Sequence, residues 1–279
     1  MKLRKPPRGR PHPVLALLLL AALAPLPAAA QEPVTYAPVP FGPGEKLGYR
    51  VNVGILGGRG RGSMEVAGIE KVHGHLTYRL RFAVEGGIPF AHVDTKLQSW
   101  MDVETLFARR FEQDQKEVRY KRHRILDFFP ERDLWMRSDG QDQGPLATKM
   151  PLDDVSFVYF ARTLPLQVGQ TYTLDRYYRA EGNPVILQVV RRERVKVSMG
   201  TFDTIVVRPT IRTGGLFGEG GEAELFFSDD PRRILVQMRS RLPVLGHLEL
   251  QLDSYEPGRP VVPFEGMAGG SQPARGQGQ

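Results

Sequence analysis

Apolar residues recur at every second position through most of this chain, and that period admits few folds. A strand sends successive side chains to opposite faces, so strict alternation gives each strand one apolar side and one polar side. Leu47, Tyr49, Val51, Val53 and Ile55 alternate with Lys46, Gly48, Arg50 and Asn52. After the turn Gly57-Gly58-Arg59-Gly60-Arg61-Gly62, a second strand opens at Met64 and Val66. His73-Gly74-His75 then turns into a third strand, carrying Leu76, Tyr78, Leu80, Phe82 and Val84. Further strands are predicted at 93–102, 107–112, 117–128, 134–137, 172–179, 185–197, 202–212, 223–227, 234–240 and 246–255. Asp153 to Arg162 breaks the period: it opens with helix-capping residues and is followed by Pro165, which predicts one short helix at 153–163. The fold class is therefore all-β, mainly antiparallel: a large curved sheet or open half-barrel, in one piece or as two β-rich halves divided by the helix. An apolar sheet face this long must be closed on itself or covered.

The first thirty residues have a different logic. Lys2, Arg4, Lys5, Arg8 and Arg10 precede the apolar run Val14–Leu23, and Ala28-Ala29-Ala30 follows two prolines. A basic start, a short apolar stretch and small residues make a cleavable secretion signal, whereas a membrane-spanning helix needs about 20 apolar residues. Residues 1–30 are read as a signal peptide, 31–43 as an extended lead-in, 44–256 as the β-rich domain and 257–279 as a disordered Gly/Pro/Gln tail. Removal of the leader's five basic residues lowers the formal charge from +7 to +2, which removes the case for a nucleic-acid partner. The absence of cysteine leaves no disulfide, no thiolate metal site and no lipid attachment point. A soluble periplasmic protein without a lipid anchor is expected, with no transmembrane segment once the signal is cleaved.

Several stretches resemble an exported bacterial family, domain of unknown function 3108. They are Phe41, Gly44, Glu45 and Tyr49 at the first strand, the glycine-rich turn ending at Gly62, and the helix closing at Arg162. Gly169, then Gly200 and Phe202 leading to Pro209, and Ser228-Asp229-Asp230-Pro231 complete the pattern. Phe226-Phe227 stands where the family more often has Trp, and Ile234-Leu235-Val236 where Pro-Val is frequent. The resemblance implies an envelope protein of antiparallel strands in an open half-barrel and implies no activity. These motif residues are read as structural.

The tempting chemical motifs are incomplete. Gly58-x-Gly60-x-Gly62 is followed by a strand, whereas a phosphate loop must open a helix. His73 and His75 could form a metal dyad that His92-x-Asp94 would complete, but neutral imidazoles need a third converging donor; His123 and His247 fall in a strand and a turn. Asp229-Asp230 resembles an acid pair, yet neighbours on a strand diverge and Pro231 favours a turn capped by Asp side chains. No nucleophile elbow or zinc-protease helix is present, so no metal, cofactor or catalytic residue is assigned. The basic runs 119–124 and 191–194 are read as solvated strand faces, with contact to anionic lipid headgroups or acidic polysaccharide as the minor alternative.

The leading expectation is a non-enzymatic periplasmic protein whose curved sheet shelters a lipid-like or other apolar ligand. An assembly factor of the envelope acting through protein contacts is the alternative, and an enzyme acting on envelope glycans is the third.

Overall fold

The computed structural model describes residues 34–54, 57–88, 91–117, 120–211, 223–242 and 246–264. The signal-like leader and the end of the tail lie outside them. Strands β1 (Lys46–Val53), β2 (Gly58–Val72), β3 (His75–Ile88), β4 (Ala91–Asp102), β5 (Ala108–Glu117), β6 (Tyr120–Phe129), β7 (Leu134–Arg137) and β8 (Gln143–Pro145) precede helix α1 (Asp154–Ala161). Strands β9 (Thr171–Leu174), β10 (Val185–Val197), β11 (Gly200–Thr210), β12 (Glu224–Ser228), β13 (Leu235–Leu242) and β14 (Gly246–Glu256) follow it.

All fourteen strands join one antiparallel sheet, in the order β8-β7-β6-β5-β4-β3-β2-β1-β14-β13-β12-β11-β10-β9. The two halves left open by the sequence pattern are thus two arms of a single sheet. Every neighbouring pair but one is a hairpin of consecutive strands. The exception pairs the first strand with the last, with Leu47 opposite Tyr255 and Val53 opposite Leu248. The sheet is not closed into a barrel, but its two ends are tied near α1. The Ala147 N–H donates to the Tyr178 carbonyl at 3.1 Å and the Leu152 N–H to the Arg176 carbonyl at 2.6 Å.

The alternation works as expected on the central strands. Leu47, Tyr49, Val51 and Val53 face the core together with Met64 and Val66 of β2, Tyr78, Leu80, Phe82 and Val84 of β3, and Leu97 of β4. Helix α1 covers part of this inner face. Asp153 caps it, its side chain accepting from the Val155 and Ser156 N–H groups while the Ser156 hydroxyl accepts from the Asp153 N–H. Seven of its eight residues are buried, so α1 lacks the polar stripe of a surface helix. Phe41 and Val39 of the lead-in are buried too, and Phe41 packs edge-on to Tyr78 and Tyr159. At the other end of the domain, the Arg259 N–H donates to the Pro43 carbonyl at 3.1 Å.

One local expectation is corrected. Gly58 to Gly62 is not a turn but the start of β2, paired residue for residue with Val53 to Tyr49. The glycines serve close approach: a Cβ on Gly60 would lie 2.1 Å from the Glu85 carbonyl oxygen and 2.7 Å from Gly86 Cα. Glycine inside a strand commonly marks such a contact or a tight bend. The turn at His73-Gly74 is as the sequence suggests, with φ of 49° and 91°, the left-handed pair of a two-residue hairpin.

Replacing Gly60 by Val should therefore lower stability by about 2 kcal/mol or more, while Arg61→Ala on the outer side of the same strand should change it by less than about 0.5 kcal/mol. Urea unfolding of the two variants reads the difference.

Candidate functional site

Three of the family-motif residues, Glu45, Tyr49 and Arg162, meet in one buried node, and the turn at Ser228–Pro231 borders it. Glu45 is fixed just before β1 by its backbone, its carbonyl accepting from the Val66 N–H at 2.9 Å, and Arg162 caps the C-terminus of α1. Both side chains are 1% exposed. Arg162 grips the Glu45 carboxylate with Nη1 to Oε1 at 2.6 Å and Nη2 to Oε2 at 2.9 Å, the two-pronged geometry that suits guanidinium and carboxylate. Nη2 also donates to the Arg232 carbonyl at 3.0 Å, and the guanidinium sits over Phe41 and Tyr159 at 5.3 and 5.4 Å. Burial works against the arginine charge, and the Glu45 carboxylate more than offsets it, raising the pKa above its ordinary value. Tyr49 completes the node by donating to the Leu235 carbonyl at 2.9 Å.

The turn after β12 is the node's third wall. Asp230 accepts from the Ser228 hydroxyl at 2.9 Å and from the Arg232 N–H at 2.9 Å, and the Ile234 N–H donates to the Ser228 hydroxyl at 3.0 Å. Pro231 lies inside this turn, and Asp229 points elsewhere, to Arg192 at 2.7 Å. A depression of about 360 Å³ beside Asp229 is lined by Arg192, Glu193, Arg194, Asp203 and Thr204; Arg192 pairs there with Asp229 and Arg194 with Asp203. The remaining motif residues lie apart. Gly44, Gly169 and Gly200 occupy positive-φ positions, Gly62 packs under Val51 and Leu250, Phe202 lies against the core, and Pro209 sits opposite Leu187.

Among the described residues the histidines do not assemble a metal centre. His73 and His75 flank the β2–β3 turn, while His92 pairs opposite Gly87 at the far end of β3. Twelve residues of strand separate these ends by about 40 Å, so His92 and Asp94 cannot complete a site with the dyad. The two turn histidines also diverge. His73 Nε2 meets Asp127 at 2.8 Å, whereas His75 Nδ1 lies 3.6 Å from Asp102 beside Arg109. Asp127 also accepts from Ser138 and Arg110, which places the acid between serine and histidine. A nucleophilic triad needs the histidine in the middle. Among the described residues no cluster of three or more metal-type ligands occurs, and no helix is long and apolar enough to cross a membrane.

The inner face changes character from one arm to the other. At one level of the sheet the inward positions read Phe82 on β3, Leu97 on β4, Gln113 on β5 and Arg124 on β6; at the next they read Val84, Thr95, Gln115 and Arg122. Apolar side chains on β1 to β3 thus give way to amides and arginines on β5 and β6. The basic run, read mainly as a solvated strand face, sends Arg122 and Arg124 inward in phase with Leu126 and Phe128. Across from them, Tyr178 packs on Phe128, Tyr177 and Trp135 at ring separations of 5.2, 4.8 and 6.4 Å. Arg124 Nη2 donates to the Tyr178 hydroxyl at 3.5 Å. Sequence reasoning passed over Arg124, Tyr178 and Arg179. The available signal was the polar residues in phase with an apolar strand face.

The family described as Protein of unknown function (DUF3108) matches residues 48–253. No curated protein matches the chain. Among solved structures, a beta-barrel-like protein of domain of unknown function DUF1849 from Brucella abortus is similar over 79% of this chain and 100% of its own, at 12% identity and a TM-score of 0.48. A protein with YmcC-like fold from Bacteroides fragilis covers 80% of this chain and 100% of its own, at 11% identity and a TM-score of 0.28.

Two outcomes follow from the buried charges. Glu45→Gln strands the Arg162 charge in the core and should cost about 3–5 kcal/mol in urea unfolding, and the double variant Glu45→Leu with Arg162→Met should recover part of that loss. Asp153, 1% exposed, has its pKa pushed up to about 7 by burial, against the hydrogen bonds it accepts from Ser99 and the backbone. An acid whose folded pKa is raised above its unfolded value of 3.8 stabilises the fold when protonated, so this contribution fades as pH rises from about 4 to 7. At about 1.4 kcal/mol per unit the swing is up to about 4 kcal/mol, and Asp153→Asn, which still caps the helix, should remove it from a pH series of melting curves.

Proposed function

We propose that this chain, which belongs to the DUF3108 family, is an exported periplasmic protein that binds an apolar or amphipathic ligand against the inner face of its sheet and catalyses no reaction. The observation that carries this reading is the gradation of that face. Ligand sites are mostly apolar with a few convergent polar groups, and here Phe82, Val84 and Leu97 stand beside Gln113, Gln115 and Arg124 on one continuous surface. The leader-like first thirty residues support export to the envelope, where lipids and their derivatives are the abundant apolar molecules.

The alternative of an assembly factor acting through protein contacts draws on a different observation. Around α1 the trough is already filled, with Phe157 at 2%, Val158 at 4% and Tyr159 at 0% exposure, so no ligand fits there without displacing the helix. A ligand would lie toward the β5–β6 arm instead.

Protein purified from envelope fractions without detergent and examined by native mass spectrometry should carry an extractable amphiphile. A preparation free of ligand that also fails to enhance an apolar fluorescent probe, and that retains a protein partner in pull-downs, would favour the assembly reading.

A further inference from the structure

Most arginines near the core of this protein have an acid in ion-pair range. Arg162 has Glu45, Arg109 has Asp102 and Arg110 has Asp127. Elsewhere on the sheet Arg79, Arg191 and Arg192 have Glu70, Glu224 and Asp229. Arg176 lacks an acid but spends its donors on the Met150 and Leu106 carbonyls at 3.0 and 3.1 Å and stacks on Phe160. Arg124 and Arg179 differ from all of these. Among the described residues neither has a carboxylate in ion-pair range, and both are partly buried.

The two guanidinium groups flank one tyrosine. Arg124 donates through Nε to the Gln113 amide oxygen and through Nη2 to the Tyr178 hydroxyl. Arg179 lies over the Tyr178 ring at 5.4 Å and over Trp135 at 4.8 Å, with its Nε buried and unpartnered. Burial and the nearby Arg122 and Arg179 charges disfavour the charged form of Arg124. Contact with aromatic faces attracts a cation only modestly and does not neutralise it. An oxyanion would supply the missing charge, and the planar fork of arginine suits phosphate and carboxylate oxygens.

We propose that Arg124, Arg179 and the Tyr178 hydroxyl form an oxyanion site that holds the phosphate or carboxylate head of an acidic amphiphile. The identification of the head rests on the reading above that the inner face takes the apolar part. Trp135, Phe128 and Tyr177 wall the site, and the amides of Gln113 and Gln115 lie on the route from it to the apolar strands.

The test titrates the full chain with three probes below their micellar concentrations: lauroyl lysophosphatidate, monolauroylglycerol and inorganic phosphate. Lysophosphatidate should bind at least tenfold more tightly than the neutral glyceride. Arg124→Gln and Arg179→Gln should each shrink that preference to within about twofold. Phosphate binding that the same variants abolish also supports the site and identifies a free ion as a source of the oxyanion. Equal affinity for the two amphiphiles, or a preference that survives both substitutions, overturns the oxyanion site while leaving the inner-face reading intact. Failure of all three probes overturns both. The wild-type comparison needs no variant, and the partly exposed Arg179 provides a second substitution should Arg124→Gln fail to fold.

Discussion

The pairing of β1 with β14 is the contact on which the architecture depends. Thirteen strand neighbours make up the sheet, and twelve of them are hairpins between consecutive strands; only β1 and β14 meet from opposite ends of the domain. Closing a loop of about 200 residues costs roughly 5 kcal/mol in chain entropy, so this seam must be well furnished. It carries Tyr49 opposite Leu252 and Val51 opposite Leu250 on the inner side, and the Arg50–Asp253 pair at 2.8 Å on the outer side. The Glu45–Arg162 node sits at its end and ties in α1 and the turn after β12. A long local meander becomes one sheet because these few non-local contacts select a single register.

The hairpins were legible in the sequence because their information is local. Period-two alternation gave β10 at its observed limits, placed β14 and β3 closely, and showed α1 as the one break in period. The start of β2 was not legible, since five alternating Gly and Arg residues carry no apolar signal and the glycines act through contact with Glu85 and Gly86 on a neighbouring strand. Nor was the partnership of Glu45 with Arg162, which lie 117 residues apart. Each reads alone as a surface charge, and only the fold buries them together. The motif residues Tyr49 and Ser228 likewise gain their partners, the Leu235 carbonyl and the Ile234 N–H, from chain reversal rather than spacing.

The same limit applies to the inner face. Arg122 and Arg124 belong to a run that looks like a solvated strand edge, yet their register against Gln115 and Gln113 turns them inward. Charged residues are rarely buried without partners, and the proposed oxyanion site rests on Arg124 and Arg179, which flank Tyr178 with no acid in ion-pair range among the described residues. The filled trough at α1 and the polar arm at β5–β6 give the interior two different characters, apolar and packed in one part and amide- and arginine-lined in the other. Elsewhere on the sheet, Arg79 with Glu70 and Arg191 with Glu224 form partly exposed ion pairs.

Native-state hydrogen exchange followed by mass spectrometry tests the single-sheet account most directly. If β1 and β14 hold both arms together, amides in 46–53 and 246–256 should be among the most protected and should open in the same event as those of β3 and β10. Loss of protection in 171–256 as a separate step, with 46–129 still closed, would show two independent sheets and contradict the account.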